Sequence, residues 1–224
     1  MATPLLEIKN LHVYFKVYEG ILKVLNGVDL TVEKKEKAGL IGEAGCGKTT
    51  TMKAILRILS ENAKVPSGEI LFNGKDILKL DKRELQAIRR SISMVFQDPT
   101  AALNPVFKVG TQLFDTIKYS YMAKGKNPSK DEIKSEAIQI LKEVALPDPE
   151  RILENYPFQL SGGMRQRVCI AMALVAANEL LIADEPGTSL DVTIEDQILR
   201  LIGILVNEKA ISVILIIHAL GAVQ

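Results

Sequence analysis

The stretch GEAGCGKTT, residues 42–50, constrains what this chain can fold into more than any other. It fits the pattern G-x-x-x-x-G-K-[ST]. In that pattern glycines let backbone N–H groups close on phosphate oxygens, the lysine reaches the outer phosphates and the hydroxyl can hold Mg²⁺. The short apolar run AGLIG (38–42) enters the loop as a buried strand, and a helical pattern continues through MKAILRIL (52–59). A phosphate loop between a strand and a helix N-terminus gains the positive end of the helix dipole. The pattern therefore predicts an α/β fold in which Gly42, Glu43, Ala44, Gly45, Cys46, Gly47, Lys48 and Thr49 form a phosphate cradle.

The hydrophobic periodicity fills in the surroundings. Residues 5–33 alternate between apolar and polar with a break at YEG, as antiparallel strands do. GEILFNGKDI (68–77) reads as strand and turn, DKRELQAIRR (81–90) as a charged helix and SISMVF (91–96) as a strand. From about 105 to 155 the texture changes to amphipathic helices such as KDEIKSEAIQILKEVAL (130–146), which suggests an inserted helical subdomain. Helix (161–176), strand (180–184), helix (191–206) and strand (211–217) follow. This alternation implies a mainly parallel sheet covered on both faces.

Totals narrow the classes. The 224 residues are enough to bury one large core. A net charge of +1 gives no electrostatic footprint for a nucleic acid. Cys46 and Cys169 make no metal or disulfide framework, so the expected setting is reducing and intracellular. MATPLLEIKN turns polar too soon for a signal peptide, and no uncharged apolar run has the length of a spanning helix.

Further motifs point the same way. LLIADE (180–185) is an apolar strand that ends in two carboxylates. Such a strand delivers Asp184 to the edge where phosphates bind, as support for Mg²⁺, and places Glu185 to accept a proton from an attacking water. Gln97 follows the strand SISMVF, where an uncharged amide can bind Mg²⁺ or the water. His218 follows the strand ISVILII in the same way. QLSGGMRQRV (159–168) opens a helix with Ser161, Gly162 and Gly163. It is a second anion grip more than a hundred residues from the first, and the serine also reads as an ordinary helix cap.

The ordered set GEAGCGKTT, VFQDP, LSGGMRQRV, LLIADEP, SLD and IIH resembles the nucleotide-binding subunit of an ATP-binding-cassette transporter across essentially the whole chain. ENYPFQLSGGMRQRVCIAMAL and VFQDPTAALNPVFKVG resemble more narrowly the D-type ATPase of dipeptide and oligopeptide importers, with nickel importers similar. The resemblance implies one cassette domain. Residues 1–100 and 177–224 would form the ATPase core with an antiparallel β subdomain, and about 101–176 a helical subdomain. It implies ATP and Mg²⁺ as cofactors, with Thr50 joining the loop on the phosphates, Thr49 and Gln97 toward the metal, Asp184 supporting the metal from behind its ligands, and Glu185 as general base. Gln97 would sense the γ-phosphate through the metal and the water, and His218 would contact it. Phe15, or Tyr14, would stack on adenine. Ser161, Gly162 and Gly163 would close on the ATP of the opposing subunit, and Asp191 would lie in the loop that communicates across the dimer. The implied partners are an F-type ATPase, two permeases and, indirectly, an extracytoplasmic binding protein. The implied place is peripheral, on the cytoplasmic face of the membrane.

The chain departs from that family at Ala44, where serine is usual, at Gly187 for threonine, and at Ile217 and Ala219 beside His218. Gly187 is expected to loosen the segment before the dimer-facing loop. The chain stops at Gln224, where the family continues, so the expectation is a domain truncated or completed by its complex. DNA-repair cassettes separate the two motifs by a long coiled coil, and translation-type proteins carry two cassettes. A GTPase would need a guanine-reading N-K-x-D. A non-hydrolysing regulatory subunit remains the alternative class, against which Glu185 and His218 argue.

Overall fold

A computed structural model describes residues 3–188 and 190–218. In chain order the strands are β1 (Leu6–Val17), β2 (Gly20–Val32), β3 (Lys37–Gly42), β4 (Ala63–Phe72), β5 (Lys75–Asp76), β6 (Ile92–Val95), β7 (Leu180–Asp184) and β8 (Ser212–His218). The α-helices are α1 (Lys48–Ile55), α2 (Lys82–Arg89), α3 (Pro99–Ala102), α4 (Val109–Ala123), α5 (Lys130–Glu143), α6 (Pro149–Glu154), α7 (Gly162–Ala176) and α8 (Val192–Lys209). The expected α/β class is what forms. Two compact units emerge, one with the described residues up to Arg89 and from Ser212 onward, the other Arg90–Ile211.

In the first unit an antiparallel sheet runs in the order β2-β1-β4-β5. Leu6 and Ile8 point into the core, and then the alternation slips, so that Leu11 and Val13 point inward instead. The slip is a bulge at Asn10, whose φ is +46° and whose N–H donates to the Asp29 carboxylate at 2.8 Å. Gly68 of β4 faces it with φ +104°, and a Cβ there would stand 2.6 Å from the Asn10 carbonyl oxygen. Apart from this sheet, β3 pairs in parallel with β8, from Lys37↔Val213 to Gly42↔His218.

The first helix is shorter than its periodicity suggests and ends at Ile55. Arg57 N–H donates to the Ala54 carbonyl at 3.0 Å and Ile58 N–H to the Lys53 carbonyl at 2.9 Å. These are the two bonds of a Schellman close, made here with Arg57 at φ +51° in the position glycine usually takes. The Arg57 guanidinium offsets the unfavourable backbone by donating to the carbonyls of Leu80 (2.8 Å) and Ile77 (3.2 Å).

In the second unit β6 and β7 pair in parallel, Ile92↔Leu180 to Val95↔Ala183. All five residues of β7 are buried, which explains the apolar run Leu180–Ala183 before its terminal Asp184. The helices α4 to α7 bury Leu113, Ile117, Ala137, Leu141, Ile152, Val168 and Ile170 against one another. Ser129 and Glu132 start α5 with a reciprocal capping box, which sets where that helix begins.

The Asn10–Gly68 contact yields a stability prediction. Gly68→Ala combines a left-handed backbone with a backbone clash, and should destabilise the fold by about 1–3 kcal/mol. Urea unfolding should show a lower midpoint with an unchanged slope. An unchanged midpoint would mean that the bulge and the glycine do not approach as described.

Candidate functional site

The phosphate loop belongs to the first unit. Gly45 and Gly47 have φ of +78° and +101°, and Gly47 is the residue before α1. A Cβ on Gly47 would meet Leu25 Cδ2 at 2.6 Å, so only glycine lets the loop rest on β2. No side chain caps α1, and its first turn carries no acidic residue. The positive end of the helix dipole therefore faces the loop, where it favours an anion. Lys48 is 7% exposed, and its ammonium donates to the carbonyls of Gly42 (2.6 Å) and Glu43 (2.8 Å). Thr51 ties the helix to the loop by donating its hydroxyl to the Gly47 carbonyl at 3.0 Å. This cradle fits a chain of phosphates. Thr49 stands beside Lys48 at the head of α1, where a hydroxyl can reach a cation on those phosphates.

Register brings a distant residue to the same loop. β8 aligns His218 with Gly42, its first glycine. His218's side chain, like Ala219, lies outside the described residues. Of the two aromatic candidates in β1, Tyr14 is engaged by its neighbours. Its hydroxyl is 3.4 Å from His12 Nδ1, and the Lys23 ammonium lies 5.5 Å from its ring centroid. Phe15 is half-buried and pairs across the sheet with Leu22 and Ala63.

The second unit holds the paired carboxylates. Asp184 ends β7 at 3% exposure and Glu185 follows at 8%, with φ +47°. Gln97 Nε2 donates to Glu185 Oε2 at 2.9 Å, so residues 88 positions apart meet as the spacing of β6 and β7 implies. A carboxylate only accepts, which fixes the amide nitrogen toward it. The turn after Glu185 is tied by Thr188 N–H to the Glu185 carbonyl (3.3 Å) and by Leu190 N–H to the Gly187 carbonyl (2.9 Å). Gly187 does not loosen it. A Cβ there would sit 2.6 Å from Glu195 Cγ, so α8 packs directly on the backbone and glycine is the residue that fits. Asp191 is the exposed residue that precedes α8, and its side chain makes no cap hydrogen bond.

The second grip is built as a helix start. Ser161 Oγ accepts from Met164 N–H at 3.3 Å, ahead of a first turn with no acidic residue. Cβ atoms on Gly162 and Gly163 would lie 3.1 Å from Leu190 Cδ2 and 3.2 Å from Ile194 Cγ2. The small residues thus let α7 close on the segment that follows β7. Arg167 fastens the same helix, donating to the Val144 carbonyl (2.9 Å) and to Gln197 Oε1 (3.1 Å). Among the described residues no cluster of three or more His, Cys, Asp or Glu side chains that could hold a metal occurs. No described helix is long and apolar enough to cross a membrane. Periodicity alone gave no warning of the left-handed Glu185 or of Gln166, a polar residue of α7 that is 1% exposed.

A glycine loop heading a helix off a parallel strand, with a carboxylate pair at a second strand end, defines a P-loop nucleotide-binding cassette. The ABC transporter family model matches residues 25–188, and the chain belongs to that family. It is 45% identical over 220 residues to the dipeptide transport ATP-binding protein DppD of Bacillus subtilis (strain 168), covering 97% of this chain and 64% of the relative. It is 44% identical over 224 residues to the oligopeptide transport ATP-binding protein OppD of the same organism, covering 99% and 61%. The chain thus spans less than two thirds of the length of these two relatives. The dimeric, post-hydrolysis ATP-binding cassette MJ0796 bound to ADP and Pi matches with a TM-score of 0.82 at 29% identity, over 96% of this chain and 88% of that one.

The two cysteines give a chemical probe of the loop. Cys46 is exposed, with Sγ 3.9 Å from the Lys48 ammonium, whereas burial pushes the Cys169 thiol up to about 12. Only thiolates alkylate at useful rates. A maleimide at pH 7 should therefore label Cys46 alone, and Mg²⁺-ATP should slow it. Mass spectrometry showing Cys169 labelled first, or no protection at Cys46, would contradict this geometry.

Proposed function

We propose that this chain is the ATP-hydrolysing cassette of a membrane importer for di- and oligopeptides. The observation that carries hydrolysis is the Gln97–Glu185 hydrogen bond beside buried Asp184. It places a carboxylate able to take a proton next to an amide able to orient water or a metal-bound group. Peptide import is supported by the two Bacillus relatives, whose names state dipeptide and oligopeptide transport.

In this reading the loop from Gly42 to Thr50 binds the ATP phosphates, with Lys48 on the β- and γ-phosphates. Thr49, Gln97 and Asp184 would hold Mg²⁺, which would neutralise charge on the phosphate oxygens. Glu185 accepts a proton from water as the water oxygen bonds to the γ-phosphorus, and the bridging oxygen leaves on ADP with the bond's electron pair. His218 contacts the γ-phosphate, and Phe15 stacks on adenine. Ser161, Gly162 and Gly163 close on the ATP held by a second, F-type ATPase, so that each chain completes the other's site. Two permeases carry this pair at the cytoplasmic face of the membrane, supplied by an extracytoplasmic binding protein. Exposed Val106, Phe107 and Phe158 in the second unit suit coverage by such partners.

Two variants test the reading in the full-length protein assembled with its partners. Lys48→Ala removes a charge-assisted contact and should weaken ATP binding by about 1.5–3 kcal/mol in calorimetry. Unchanged affinity would remove the loop from the site. Glu185→Gln should keep ATP binding and lower turnover on the order of 10²–10⁴-fold, because an amide cannot take the proton. Turnover at the parental rate would mean that the base lies elsewhere.

A further inference from the structure

Gln166 sits one turn into α7 and is 1% exposed. Among the described residues neither its Nε2 nor its Oε1 has a hydrogen-bond partner. An amide shut away from water with both its donors and its acceptor unanswered is unfavourable, and a side chain of the same size without polar atoms would suit a permanently buried position better.

Helix geometry says where this amide is directed. At about 100° per residue, Gln166 lies about 40° round from Gly162, and about 60° from Gly163 on one side and from Cys169 on the other. On either side of it α7 meets the segment that follows Glu185, at Gly162 through Leu190 and at Gly163 through Ile194. On the Cys169 side Cys169 Sγ lies 3.9 Å from the carbonyl of Pro99, two residues beyond Gln97. Gln166 therefore projects between the loop that carries Gln97 and the segment that carries Glu185. It does so from the helix whose first turn is Ser161, Gly162 and Gly163.

We infer that Gln166 is a positioning residue that couples the Ser161–Gly163 turn to the Gln97–Glu185 pair, its amide taking up backbone groups of the segment after Glu185 in the conformation that turns over ATP. A primary amide offers both a carbonyl and N–H groups, the complement of a peptide unit. Unpaired, it disfavours the conformation described here, and a shift that pairs it is favoured by the same amount. Closure of the turn on a partner's nucleotide and placement of Glu185 are then linked through one side chain. This rests on the hydrolytic reading above.

The test uses the full-length protein assembled with its partners and two shape-conserving variants, Gln166→Met and Gln166→Leu. Both should raise the melting temperature without nucleotide by about 2–4 °C, leave the KM for ATP unchanged and lower kcat about tenfold. A raised melting temperature with parental kcat would overturn the inference, since the amide would then be an idle defect. A lowered melting temperature in both variants would also overturn it, because the amide would already be paired in the resting form. Glu185→Gln runs alongside as a control. If that variant retains turnover, the hydrolytic reading fails, and the loss of kcat at Gln166 must be referred to another base.

Discussion

Two carbonyl groups of the phosphate loop hold the ammonium of Lys48, and the chemistry of the first unit depends on that contact. A buried cation is tolerated only with partners, so the loop must curl around its own lysine before any ligand arrives. Gly47 makes the curl possible, because its bare Cα lets the chain press against Val24 and Leu25 of β2. The antiparallel sheet is thereby the wall on which the loop is moulded.

The second unit stores a different constraint. Glu185 holds a left-handed backbone, which costs a residue with a Cβ on the order of 1–3 kcal/mol. The surroundings over-determine it. β7 behind it is wholly buried, Gln97 bonds its carboxylate, and Thr188 bonds its carbonyl. A carboxylate held this way has little freedom left to lose, which is the condition under which positioning counts most. α8 adds to the confinement by seating Glu195 against the backbone of Gly187.

What could be read from the sequence was whatever has a local cause. The loop has a fixed spacing of glycines and lysine, and the apolar run of β7 is four residues that lead into two acids. Both are patterns that short-range physics imposes. The end of α1 was not legible, because its Schellman close uses Arg57 rather than glycine, and guanidinium bonds to Ile77 and Leu80 are what make that affordable. Nor was the fit of Gly187, which as a glycine in a turn suggests looseness and proves to be close-packed. Gln166 reads as one more polar residue in a charged motif, and only burial reveals it as inward. The alignment of His218 with Gly42 needed the topology of β3 and β8, since 176 positions separate the pair (218 − 42).

That separation bears on synthesis. Among the described residues the strand that pairs with β3 is β8, which is translated long after it. At roughly 5–20 residues per second a ribosome takes on the order of 10–35 s to span the gap. Through that interval the nascent chain carries a finished glycine loop on a strand whose backbone groups are unmatched. Arg90–Ile211 emerges in the meantime as a compact unit of its own. The glycine loop is thus translated well before the strand that flanks it, so a chain stalled in that interval holds the motif without its pairing partner.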